Sequence, residues 1–209
     1  MPAASEPSSL RDACVETAHR LIAEHGIEKL SLRDVSRQLG VSHQAPYKHF
    51  ESRDHLLAEV MRRCFQQLTT ALSSRERCAD PVRDLRSLGR AYLAFALEHP
   101  LEYRLMFNTP WPEAPQHPQL LRDANLSFDV LRQAVAALFG QALPRENVDL
   151  HAMFVWSSMH GIASMLHSNA MEHLDVSDIV LASAVEHCMD MIEAALAAAG
   201  RPRGRAGSG

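Results

Sequence analysis

Between Ser31 and Phe50 the chain gathers side chains suited to base edges and phosphate oxygens. Gln44 carries an amide that pairs bidentately with adenine, and His43 beside it offers an imidazole at the same level. Tyr47, Lys48 and His49 present a hydroxyl, an ammonium and an imidazole, three groups that suit phosphate contact. Arg33 and Arg37 stand one helical turn apart and can reach a backbone from a neighbouring element, as can Ser31 through its amide or hydroxyl. The chemistry is that of recognition. No phosphate-cradling Gly-rich loop, HExxH, Gly-x-Ser-x-Gly or short-range nucleophile–base arrangement occurs, so no motif supports an enzyme.

Two short helices joined by a tight turn would hold these groups in place. Apolar spacing at Leu32, Val35 and Leu39 predicts a helix over Leu32–Leu39, with Ser31 as N-cap, Asp34 in its first turn and Gly40 as C-cap. Gly40, Val41 and Ser42 then form the turn. Ser42 caps a second helix running to about His49, whose N-terminus faces a groove. Val41 fills the space between the helices, Ala45 is small where they cross, and Pro46 is tolerated near the helix start. Phe50 is expected in the core; Tyr47 either combines contact with packing or simply closes a small core. Before this unit a helix spans Ser9 to His25, stopped by Gly26. After it Ser52 caps a long helix reaching about Ser73.

The rest of the chain also reads as helix, because Ala, Leu, Met, Arg and Glu dominate and no β-branched run alternates strictly. Further helices are expected from Pro81 to His99, Leu101 to Asn108, Gln119 to Phe139, Arg145 to Ala170 and Ser177 to Ala199. The stretch Thr109–Pro118, with four prolines and a tryptophan, reads as a rigid loop. The expected architecture is all-α: a three-helix helix-turn-helix head joined to a C-terminal helical bundle, about nine helices in all. Residues 1–9 read as a disordered leader, 10–55 as the helix-turn-helix head, 56–199 as the helical body, and 200–209 as a disordered tail.

Composition sets bounds on function. Of the 209 residues 46% are hydrophobic, enough for a sizeable core. No apolar run is long enough to span a membrane, and the first residues lack the features of a signal peptide. Four widely spaced cysteines, Cys14, Cys64, Cys78 and Cys188, fit reduced thiols in a cytoplasmic protein. The formal net charge of −4 excludes a uniformly basic surface, but Ser31 to Arg63 holds six Lys or Arg against four Asp or Glu.

The segment from Ser31 through His43-Gln-Ala-Pro-Tyr-Lys-His-Phe50 and on to Leu57 resembles the head of a TetR-type transcriptional regulator, the likeness running from about Arg11 to Leu57. Tyr92–Phe107 and Trp156–Ala163 resemble a subgroup of that family with a Trp-His-Gly signature, carried here by Trp156, His160 and Gly161. The resemblance implies a DNA-binding head on a ligand-binding, dimerising body, commonly a repressor. It also implies phosphate contacts for Tyr47, Lys48 and His49. Many members have glycine at the position of Gln44 and leucine or a similar residue at that of Pro46, so the operator does not follow by analogy.

A dimer would present two recognition helices to a near-palindromic double-stranded site. Its interface is expected on the two C-terminal helices, along the stripes Val148, Ala152, Val155, Met159, Ile162, Leu166 and Ile179, Ala182, Val185, Met189, Ile192, Leu196; the alternative is that both stripes bury within one subunit. An aromatic-rich wall of Tyr92, Phe95, Tyr103, Phe107, Trp111, Phe128, Met153, Trp156 and His160 would suit a small apolar or aromatic effector, although each of these is also an ordinary core residue. Two other readings stand beside this one. Twelve histidines invite a metal-responsive regulator, but no compact ligand spacing appears, so neither a metal site nor a cofactor is expected. The slight acidity permits a helical protein-interaction module without DNA binding.

Overall fold

The computed structural model describes residues 9–113, 116–140, 143–168, 173 and 175–200. The expected leader, apart from Ser9, and the tail beyond Gly200 lie outside the described residues, as do Asn169 and Ala170 at the expected end of the seventh α-helix. Among the described residues there are eight α-helices and no strand: α1 Leu10–His25, α2 Leu32–Leu39, α3 Arg53–Ser74, α4 Pro81–Glu98, α5 Pro100–Phe107, α6 Pro118–Phe139, α7 Arg145–His167 and α8 Asp178–Ala199. Two 3-10 segments, Ile27–Lys29 and Pro46–Lys48, complete the element order. No helix is long and apolar enough to cross a membrane among these residues.

The chain divides into two compact units. The first holds residues up to Gln67 together with Leu101–Leu126; the second holds Leu68–Pro100 and Ser127 onward. Helices α3 and α6 therefore each contribute to both. In the first unit α1 packs on α2, and Cys14, Val15, Ala18, Ile22, Val35 and Leu56 are almost fully enclosed. Burying each of the Val, Ile and Leu side chains among them contributes about 1.5–3 kcal/mol. Cys64 is also buried here, whereas Cys78 and Cys188 in the second unit are partly exposed; all four are free thiols. In the second unit α4 packs on α7 and α8, and α7 on α8. There Val148, Ala152, Val155 and Met159 of α7 and Met189, Ile192 and Leu196 of α8 are buried within the chain itself. These are most of the stripes expected to meet a partner, so that expectation is corrected. Helices α7 and α8 are apolar around a wide arc, and this side of each covers the chain's own core.

Candidate nucleic-acid interface

Ser31 terminates its segment as an extended N-cap: its hydroxyl accepts the Asp34 N–H at 3.1 Å and donates to the Asp34 carboxylate at 2.6 Å. The hydroxyl is thus committed to the cap, and its amide is the group that remains for a backbone contact. At the other end of α2, Gly40 adopts φ 65°, ψ 25°, a left-handed conformation that glycine enters without a Cβ penalty. Its N–H reaches the Arg37 carbonyl, and the Val41 N–H returns to Ser36 O at 3.1 Å, which satisfies two of the last carbonyls of the helix.

The second helix of the motif differs from expectation. His43–Ala45 form a turn and Pro46–Lys48 a 3-10 segment, so Ser42–His49 is not a regular α-helix. The reason lies in Pro46, which has no N–H to donate to the Ser42 carbonyl. That carbonyl instead accepts Ala45 N–H at 2.9 Å, and the following bonds, Lys48 N–H to Ala45 O and His49 N–H to Pro46 O, keep the three-residue spacing. Ser42 therefore works here through its carbonyl rather than as an N-cap of an α-helix.

The tighter winding still sorts the side chains into two sets. Ser42, His43, Gln44, Tyr47, Lys48 and His49 are exposed, Tyr47 at 50%, while Pro46 and Phe50 are buried. Of the α2 residues, Arg33 and Arg37 are exposed; Arg37 holds the Asp34 carboxylate at 2.6 Å, and Arg33 lies on the same outer surface. Phe50 closes the core as expected, with the Arg11 guanidinium over its ring at 5.5 Å.

Several positioning groups were not expected from the sequence. Arg53, the first residue of α3, donates to Ile27 O at 2.7 Å and Leu30 O at 3.1 Å, clasping the α1–α2 connection. Its cue was the Glu51-Ser-Arg-Asp54 step, but its carbonyl partners are remote in sequence. Buried Glu59 accepts from Arg62 and Arg11, Arg62 also reaches Asp123, and Arg63 pairs with Asp12. Burial pushes the Glu59 carboxyl up, but Arg62 and Arg11 outweigh it and hold it below the ordinary carboxylate range. This network ties α1 to α3 and the start of α6 within the first unit.

The nine candidate effector residues fall into both units. In the first, Tyr103 is buried and meets Phe107 at 5.2 Å; Phe65 lies between Phe107 and Trp111, whose indole N–H donates to Met106 O at 2.8 Å. In the second, the Tyr92 hydroxyl lies 3.1 Å from His160 Nδ1, and Trp156 bridges His160 and Phe128 with centroid distances of 5.5 and 6.3 Å. Burial pushes the His160 imidazole below its usual value. Phe95 is buried and tilts against His99. Met153 stands apart: it is 45% exposed, on the outer face of α7.

Known proteins are similar to this chain. A family model described as bacterial regulatory proteins, tetR family, matches residues 15–60, and one described as tetracyclin repressor-like, C-terminal domain, matches residues 85–192. The HTH-type transcriptional regulator Mb1846 of Mycobacterium bovis is 31% identical over 101 residues, a match covering 47% of this chain and 43% of that protein, so the chain aligns with less than half the length of that relative. The HTH-type transcriptional repressor KstR2 of Mycolicibacterium smegmatis is 31% identical over 166 residues, covering 72% of this chain and 76% of the relative. A solved structure of a protein of unknown function from Rhodococcus sp. RHA1 superposes with TM-score 0.71 at 28% identity over 92% of this chain and 100% of that one. With one family model spanning its head and another more than half its length, the chain belongs to the tetR family of bacterial regulatory proteins.

Proposed function

We propose that the chain is a sequence-specific DNA-binding transcriptional regulator, a cytoplasmic repressor released from its operator by a small apolar or aromatic effector. The observation that carries this reading is the sorted recognition segment, which exposes His43, Gln44, Tyr47, Lys48 and His49 together while Pro46 and Phe50 anchor it. His43 and Gln44 read base edges; Tyr47, Lys48 and His49, with Arg33, Arg37, Ser42 and the Ser31 amide, hold the phosphate backbone. The name of the KstR2 relative, a transcriptional repressor, supports the direction of regulation. Residues 10–55 serve as the head and 56–199 as the body. Replacing Tyr47 and Lys48 with alanine should weaken binding to the promoter DNA upstream of the gene on all sequences, whereas Gln44→Ala should change sequence preference. Unchanged binding by all three variants, titrated at fixed salt, would remove the assignment.

The chain works as a homodimer through α7 and α8, on a near-palindromic site. Support comes from the faces of these helices turned away from the chain's own core. Leu150, Met153, Phe154 and Met165 on α7 and Val180 and Met191 on α8 are all more than 40% exposed. Ser157, Ser158 and Ser183 turn their hydroxyls onto carbonyls four residues back, so they add little free polarity to these helices. Tyr92, Trp156, His160 and Phe128 are the favoured effector contacts, because they already pack as one aromatic set with a hydroxyl–imidazole pair. For the metal-responsive alternative no set of ligands can be named: among the described residues no group of three His, Cys, Asp or Glu is placed to hold a metal ion.

A further inference from the structure

Beside the recognition segment the first unit carries an open cleft of about 340 Å³. Its lining includes the first turn of α6, Pro118 to Leu120, together with His117, His55 and His49. Helix α6 is 22 residues long. Pro118 has no N–H and the Leu121 N–H goes to the His117 carbonyl, which leaves the Gln119 and Leu120 N–H groups without a carbonyl partner inside the helix, at the positive end of its aligned peptide dipoles. His117 is the second, independent feature. It is 8% exposed and lines the cleft, and while its carbonyl accepts the Leu121 N–H, its imidazole has no hydrogen-bond partner among the described residues; the ring meets that of His55 edge-on, at 4.8 Å between centroids. An imidazole edge that opens on the cleft without a protein partner can donate to a ligand oxygen there.

The charges around the cleft leave room for an anion. Arg11 and Arg62 line it, but Glu59 accepts from both and Asp123 takes a further bond from Arg62, so these four charges largely cancel. The remaining carboxylates are Glu51, 88% exposed at its side chain and 3.7 Å from His55, and Asp54, which acts on His117. Against them stand the helix terminus and the N–H groups that three imidazoles can donate. We propose that the first turn of α6 and His117 form a site for a compact oxyanion, a carboxylate or phosphate carried by a small molecule, separate from the aromatic set of the second unit. His49 lines this cleft and also belongs to the exposed recognition segment. An anion bound there competes with a DNA phosphate for it, a consequence that rests on the DNA-binding reading; anion binding itself does not.

The test uses the full chain and inorganic phosphate, with acetate as a second arm, each against chloride at matched ionic strength. Imidazole Hε1 resonances of His49, His55 and His117 are followed by NMR, with His187 in the second unit as control. Saturable shifts of His55 and His117 but not His187 are expected; response to both anions marks a general oxyanion site, and response to phosphate alone a phosphoryl site. His117→Leu should weaken apparent affinity, read at His55, by about tenfold, and His117→Gln, which keeps a donor, should recover most of it. Linear shifts equal to those in chloride, or saturable shifts indifferent to His117→Leu, overturn the proposal. DNA anisotropy is measured separately: if no DNA binds under any condition, the regulator reading fails while the titration still decides the anion site.

Discussion

Arg53 illustrates how much one side chain can organise. Its guanidinium holds two carbonyls of the α1–α2 connection, so Arg53→Ala should lower the stability of the chain by about 1.5–3 kcal/mol in a urea melt, the usual cost of losing hydrogen bonds from a charged group. Lysine should recover little, because a single ammonium lacks the planar fork that reaches both oxygens. His160 and His117 give a second expectation at this scale. Burial, the leading cause at both, lowers their folded values below the ordinary 6.5, so the neutral forms are favoured in the fold. Their contribution to stability is present above pH 6.5 and is lost as pH falls through the lowered folded values, where the unfolded chain binds more protons. Melts between pH 7.5 and 5 should therefore show falling stability, and His160→Asn should flatten part of the slope. A slope unchanged by the substitution would count against His160 as a source of the pH dependence.

At the scale of the element, Gly40 and Pro46 act in opposite ways on one motif. A Cβ at Gly40 meets nothing within 4 Å, so Gly40→Ala isolates the left-handed backbone cost, about 1–2 kcal/mol, measurable by the same melt. The ends of α2 were legible in the sequence because Ser31 and Gly40 act locally, through bonds to residues three or four away. The departure at Ser42–His49 was also written there, in Pro46; the helical pattern around it masked how one missing N–H shifts the bonds from Ala45 to His49 to three-residue spacing, before Phe50 N–H returns to four-residue spacing on Pro46 O. The division of α7 and α8 into inner and outer sides was not legible. Both helices carry apolar residues on most of their circumference, and periodicity cannot choose between two apolar arcs. The ion-pair network of Glu59 with Arg11, Arg62 and Asp123 was equally hidden, since its members are scattered from α1 to α6 and only the fold brings them together.

For the whole molecule, Gly161 offers a test that separates folding from the proposed association. It is exposed within α7, and a Cβ there meets nothing within 4 Å. Gly161→Ala should stabilise the isolated helix by about 0.8–1 kcal/mol, since alanine is the better helix former. Gly161→Leu should leave the fold intact but shift sedimentation toward the monomer, if α7 approaches its partner closely at this point; an unchanged dimer with the leucine would move the interface elsewhere. The four thiols add a consequence of another kind. Cys14 and Cys64 lie enclosed in the first unit, with burial raising both and pushing Cys64 up to about 12, while Cys78 and Cys188 sit partly exposed in the second. Each unit therefore carries its own pair of native sulfur reporters. A disulfide reagent will label Cys78 promptly and Cys188 more slowly, since burial raises that thiol too, and the still slower labelling of Cys14 and Cys64 will run as a clock for how often the first unit opens.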